Sequence, residues 1–255
     1  VAYGAEDAQG VVQRTAAMNA VKGFTKGYLI VCTYPEALAE RVADAETLRR
    51  DTIAVKVGDS ISIAVLEDAL VDANFTRVDF VYEPGQYSVR GGIVDVFSFS
   101  ESKPYRIDFF GDEVDSIRRF NISSQLSADK LDRVEIIPNL NAGDGAAKVS
   151  FVQFAGDAAA YWFYDADYVL RRVNDIRRRT LADMERPEEI DRLMTSRNAL
   201  LGDLANCRML ALRDNLPERP ATAAVEFDTA PQPKFNKNFE LLADDIISNG
   251  QRGYK

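Results

Sequence analysis

The 255 residues contain no histidine. That absence removes His-dependent triads, His-ligated zinc and the side chain most often used as a general base near neutral pH. Cysteine is scarce: Cys32 and Cys207 stand far apart, which excludes a disulfide-stapled secreted scaffold and fits a reducing cytoplasm. Both are expected as buried thiols. No long apolar run exists; the longest, Tyr28 to Cys32 and Tyr161 to Tyr164, fall far short of the roughly 20 residues that cross a bilayer, so no membrane partner is expected. Positive charge is in deficit, 31 Lys+Arg against 40 Asp+Glu giving a net -9, which opposes a phosphate backbone unless basic residues gather on one face. No initiator Met precedes Val1, and the chain is expected to be a piece of a longer protein.

What is present is ordinary globular composition. Hydrophobic residues at 46% and charged residues at 28% exclude a disordered tail and leave enough apolar surface for two cored units. Glu6 to Ala20 has helical spacing, and Gly27 to Thr33 reads as a strand buried on both faces of a parallel sheet, with Pro35 opening a helix Glu36 to Val42. From Thr52 the pattern changes. Thr52 to Val57 reads as a strand, and Ser62 caps a helix to Ala73 with Val65, Leu66, Ala69 and Leu70 inward. Strands of period two follow at Val78 to Tyr82, Ile93 to Phe99, Tyr105 to Phe110 and Glu113 to Phe120, separated by Gly- and Pro-containing turns. The Gly- and Asn-rich loop Asn139 to Ala147 marks a boundary. Beyond it Tyr161 to Tyr164 reads as another buried strand, Asp165 or Asp167 caps a mainly helical segment to about Arg208, 215–238 is irregular and Pro-rich, and Phe239 to Ser248 is a helix.

The fold expectation is α/β: a parallel-sheet domain in two parts, 1–50 and 139–255, with a small antiparallel α+β domain at 51–138 inserted between them.

Three constellations invite chemistry. Asp112-Glu113-Val114-Asp115 follows an apolar strand as an Mg²⁺-holding acidic box would, but no phosphate-cradling loop ending in Gly-Lys-Ser/Thr exists to complete it. Gly111-Asp112 is instead the chemistry of a type II′ hairpin turn. Such a turn sets Phe110 opposite Glu113, Phe109 opposite Val114 and Arg106 opposite Ile117. Tyr105, Ile107, Phe109 and Val114 then face a core, while Arg106, Asp108, Phe110, Glu113, Asp115 and Arg119 face water. An exposed Phe110 beside an arginine and rimmed by acids has the composition of a binding hot spot; packing of Phe110 on a neighbouring loop is the plainer alternative. Val89-Arg90-Gly91-Gly92 offers a guanidinium beside a sharp turn, either as a carboxylate reader or as an ordinary surface arginine. Arg171-Arg172 and Arg177-Arg178-Arg179, interleaved with Asp165, Asp167, Asp175 and Asp183, read as a solvated helix face with an Arg171–Asp175 pair. No metal ligand set is indicated.

The strings Tyr82-Glu83-Pro84-Gly85-Gln86-Tyr87-Ser88-Val89-Arg90-Gly91-Gly92-Ile93-Val94-Asp95-Val96-Phe97 and Pro104-Tyr105-Arg106-Ile107-Asp108-Phe109-Phe110-Gly111-Asp112-Glu113-Val114-Asp115-Ser116-Ile117-Arg118 resemble the UvrB-homology module of the Mfd family of bacterial transcription-repair coupling factors. Tyr28 to Pro35 and Phe227 to Tyr254 resemble the surrounding domain more loosely. The resemblance implies a non-catalytic, cytoplasmic recruiter. Its module would bind UvrA through Arg90, Arg106 and Phe110, with Glu113 and Arg119 beside them, inside a degenerate helicase-like domain that has lost its ATP site. It implies no cofactor for this piece; ATP and Mg²⁺ would serve motor domains elsewhere, and RNA polymerase and DNA would be met only through other domains. A fragment of UvrB itself, and a nucleotide-hydrolysing or DNA-translocating module, are the alternative readings.

Overall fold

A computed structural model describes residues 8–140, 147–212, 220–227 and 234–253. Helix α1 (Ala8–Gly23) buries Thr15 and Met18, spaced to share one helix face. Helix α2 (Pro35–Ala39) starts on a proline, whose fixed φ suits a first turn. Strand β1 (Val42–Ala43) leads to α3 (Ala45–Asp51), capped by the Asp44 carboxylate accepting from the Thr47 amide at 2.7 Å. Strand β2 (Ile53–Lys56) and helix α4 (Ile63–Asp72) follow, and Ser62 caps α4 as the sequence predicts.

Next comes a run of short strands: β3 (Thr76–Arg77), β4 (Gln86–Arg90), β5 (Ile93–Val96), β6 (Tyr105–Phe110), β7 (Glu113–Phe120) and β8 (Ser127–Leu131). They form one six-stranded sheet in sequence order, antiparallel except for the β3–β4 pair. Strand β9 (Arg133–Ile136) turns back to pair with β2. The sheet's inner face rests on α4: Leu66, Leu70 and Phe75 meet Tyr87, Val94, Val96, Tyr105, Ile107, Val114 and Ile117 in one buried cluster. Full burial of each such side chain contributes about 1.5–3 kcal/mol, and this cluster fixes which residues are left for the outer face.

Strand β10 (Lys148–Val149) pairs antiparallel with β1, so the chain returns from the sheet to the place it left. Helix α5 (Phe151–Ala155) opens on a Ser150/Gln153 capping box. Strand β11 (Ala160–Phe163), helices α6 (Ala166–Asp183), α7 (Ile190–Leu193) and α8 (Arg197–Leu204), and strand β12 (Arg208–Ala211) complete a second core around Leu170, Val173, Met194 and Leu200. β11 and β12 pair in parallel. The chain divides into two compact units, Val1–Glu218 and Arg219–Lys255; the second holds α9 (Phe239–Gln251), capped by Asn238.

Several expectations are corrected. Gly27 to Thr33 is not a strand: Tyr28 and Ile30 are exposed, and Cys32 is exposed while Cys207 is buried. An apolar run supplies hydrophobicity, but a strand also needs a neighbour to take its backbone hydrogen bonds, and among the described residues none pairs with it. Parallel pairing of the α/β part is limited there to β11–β12, which is covered on one side only, leaving Trp162 and Tyr164 exposed while Phe163 is buried. In α4 the inward stripe runs through Leu66 and Leu70, and Val65 points to solvent. Val78 to Tyr82 is not a strand either; after Val78 donates to the Tyr87 carbonyl at 2.9 Å, the Tyr82 and Glu83 amides turn to the Gln86 side chain. The boundary loop falls largely outside the described residues at 141–146, as does much of the Pro-rich segment.

Candidate functional site

The outer face of the six-stranded sheet is built by alternation. Because Val94 and Val96 are drawn into the core, Asp95 between them must face outward. Register then carries a row across the sheet: Ser88 on β4 opposite Asp95 on β5, Arg106 on β6, Arg118 on β7 and Lys130 on β8. The adjacent row runs Arg90, Ile93, Asp108, Ser116. One further step along, Phe110 sits opposite Glu113 at the end of the β6–β7 hairpin.

This hairpin has the predicted turn. Gly111 takes φ 62° while Asp112 stays out of the positive-φ region, the signature of type II′. Phe110 pairs with Glu113 and Phe109 with Val114, as read from the sequence. Beyond them the register differs: Asp108 pairs with Ser116, Ile107 with Ile117 and Arg106 with Arg118, so Asp115 is an extra residue in β7. Such a β-bulge shifts every later residue of its strand by one and exchanges the two faces. The correction is therefore specific. Arg119 sits opposite Tyr105 on the inner-face side, where it bonds Glu101 at 3.3 Å and lies over the Tyr105 ring, and Arg118 takes the outward place assigned to it.

Of the other predicted residues, Phe110 is 84% exposed, and Glu113 is exposed and bridges to Ser60. Arg90 and Arg106 converge on one buried carboxylate. Asp95 is 1% exposed; its Oδ1 accepts from Arg106 Nε at 2.7 Å, and its Oδ2 from Arg106 Nη2 at 2.8 Å and Arg90 Nη2 at 2.5 Å. Arg106 also donates from Nη1 to the Gln125 carbonyl at 3.2 Å and from Nη2 to Gln125 Oε1 at 3.4 Å. Its guanidinium lies 4.4 Å from the centre of the Phe120 ring, and that of Arg90 4.9 Å from Phe80. The hydrogen bond to Asp95 holds the Arg106 guanidinium above its ordinary pKa. A second network flanks the first: Asp108 pairs with Arg118 and accepts from Ser116 Oγ at 2.7 Å. The two glycines after Arg90 shape the β4–β5 hairpin beside Phe109: Gly91 has φ 60°, and a Cβ on Gly92 would stand 3.0 Å from the Phe109 carbonyl oxygen.

Sequence reasoning missed Asp95, Arg118, Gln125 and Phe80. Asp95 had a signal, a lone acid inside the apolar run Ile93–Phe97. Arg118 depended on the bulge, and Gln125 and Phe80 come from connections whose path no periodicity describes. The basic residues of α6 form separate ion pairs, Arg172 with Glu36, Arg177 with Asp191 and Arg178 with Asp175, in place of the expected Arg171–Asp175 pair. Among the described residues no group of acids or cysteines has metal-binding geometry and no helix is long and apolar enough to cross a membrane.

A comparison with protein families matches residues 53–141, from β2 through the six-stranded sheet and β9, to the UvrB interaction domain. The likeness is confined to this segment. The chain is similar to transcription-repair-coupling factors: it is 31% identical to that of Escherichia coli (strain K12) over 128 residues, or 50% of the chain. Identity is 32% over 126 residues to that of Bacillus subtilis (strain 168), 49% of the chain, and 33% over 132 residues to that of Myxococcus xanthus, 52% of the chain. In each case the match spans 11% of the relative's length. The Arg90–Asp95–Arg106 network and the exposed Phe110 all lie inside the matched segment.

Proposed function

We propose that this chain is the UvrA-docking, non-catalytic part of a cytoplasmic transcription-repair coupling factor, recruiting nucleotide excision repair to stalled RNA polymerase. Phe110, Arg90 and Arg106 form the docking face, with Glu113 at its rim. One observation carries the reading: within a UvrB interaction domain, an aromatic side chain 84% exposed stands on the sheet face that carries two arginines fixed by a buried acid. A large apolar anchor beside oriented guanidiniums is the composition of an interface centre. RNA polymerase, DNA, ATP and Mg²⁺ belong, in this reading, to parts of the longer protein beyond this chain.

The same reading takes the UvrB interaction domain as an insertion in a degenerate helicase-like α/β domain. Its support is the return of the chain at β1–β10 and the parallel β11–β12 pair backed by helices. Asp112 and Glu113 shape a hairpin and carry no hydrolytic role.

Calorimetric titration with purified cognate UvrA tests the proposal, with Phe110→Ala as the deciding variant because the side chain is exposed and its removal spares the core. Wild-type binding weakened about 30-fold or more by Phe110→Ala, the loss of a hot spot of about 2 kcal/mol, is the expected result. A folded wild-type chain that fails to bind, or a Phe110→Ala chain that binds equally well, would overturn it.

A further inference from the structure

The two arginines bonded to Asp95 are not equivalent, and the difference originates in how each meets that carboxylate. Of Arg106's five N–H bonds, four have partners: two on the Asp95 carboxylate and two on Gln125, one at its carbonyl and one at its side chain. With its face on Phe120 and its side chain 14% exposed, Arg106 is a fixed pillar with little left to offer a partner. Arg90 gives one N–H to Asp95, packs over Phe80, and keeps its side chain 37% exposed. Phe80 is itself about half exposed and lines, with Arg77, Val78, Asp79, Val89 and Arg90, a surface hollow beside the β4 edge. A long arginine side chain is thus held by one hydrogen bond and one ring, and more than a third of it stays exposed.

We infer that Asp95 is the positioning residue of the docking face: through Arg106 as pillar it fixes Arg90 as the reader of a carboxylate on the partner. The inference rests on the UvrA reading above. Its physical basis is pre-organisation, since a guanidinium already oriented loses less freedom on binding, and a planar fork discriminates a carboxylate by geometry where a lysine supplies only charge. Asp95 touches no partner atom; it acts through the arginines.

The test is a double-mutant cycle, with UvrA titrated into wild type, Asp95→Asn, Arg90→Ala and the double variant. Thermal unfolding of each checks the fold. Asp95→Asn keeps the shape but loses the charge, and is expected to weaken binding about tenfold. That loss should vanish in the Arg90→Ala background, because the residue through which Asp95 acts is gone. A purely structural role for Asp95 would give the same loss in both backgrounds, and that result overturns the inference, as does a folded Asp95→Asn chain that binds like wild type. Arg90→Lys decides the matter independently of how Asp95→Asn folds. Weakened binding at an unchanged unfolding midpoint supports the oriented fork, and wild-type affinity overturns it. Phe110→Ala separates the two levels: its loss of binding alongside a silent Asp95 leaves the UvrA reading standing and removes only this inference, whereas no binding by wild type removes both.

Discussion

The two faces of the six-stranded sheet are made by the same strands and obey opposite rules. On the inner face, Val94, Val96, Ile107 and Ile117 are each at most 1% exposed and ask only for apolar volume, an attraction without direction that tolerates rearrangement. On the outer face, Asp95 is equally buried, yet it is held by hydrogen bonds from two guanidiniums. A buried charge is tolerable only with its partners in place; the network adds little net stability as a whole and a great deal of cost when broken. The outer face is therefore a template ordered by its ion network, not a passive solvent face.

The sharpest way to break this comparison is Arg106→Glu. It would set a second carboxylate against Asp95, and a loss of about 3–5 kcal/mol is expected from an uncompensated buried charge, measured as a shift in the urea midpoint at constant slope. A loss below about 1 kcal/mol would make the network ornamental and erase the distinction between the faces. The size of this effect also disqualifies Arg106→Glu as a clean probe of UvrA binding. Ile107→Ala on the inner face comes next, at about 2–5 kcal/mol for lost burial and the cavity left behind, read by the same denaturation. Gly85→Ala follows, with a destabilisation above about 1 kcal/mol: φ at Gly85 is +86°, and a Cβ there would lie 2.8 Å from the Phe99 ring. A smaller loss would mean that this turn tolerates a side chain by shifting the ring.

The bulge at Asp115 decides a smaller effect. Arg119 belongs to the inner-face side, where its bond to Glu101 is partly exposed, so Arg119→Ala is expected to cost no more than about 1 kcal/mol and to leave UvrA affinity unchanged. Affinity lost on Arg119→Ala but kept on Arg118→Ala would reverse the assignment of β7 to the two faces.

Legibility in the sequence followed range. Local chemistry could be read: the Ser62 cap, the Gly111-Asp112 turn and both hairpin strands, Tyr105–Phe110 and Glu113–Phe120, stand where residue types put them. Phe110's exposure followed from that turn by counting. Non-local events could not be read. A single extra residue, Asp115, moved Arg119 off the outer face; the run Tyr28 to Cys32 had the composition of a strand and no partner among the described residues; Trp162 and Tyr164 needed a covering layer to be buried. Asp95 was legible in part, as an acid amid apolar neighbours, but its two arginines come from β4 and β6 and only register unites them.

The smallest expected effect on stability is the most informative for the comparison. Phe110 is 84% exposed at the open end of the outer face, and its ring belongs to neither the core nor the ion network. Phe110→Ala should therefore change unfolding free energy by no more than about 0.5 kcal/mol, the usual range for surface positions. A residue that costs nothing to remove from the free protein and much to remove from the complex is stabilised by the partner alone, so a pair of measurements, urea unfolding and calorimetry on the same sample, isolates it. A large stability loss would show that Phe110 packs on the domain, joining the inner face's logic and leaving Arg90 to carry the docking face.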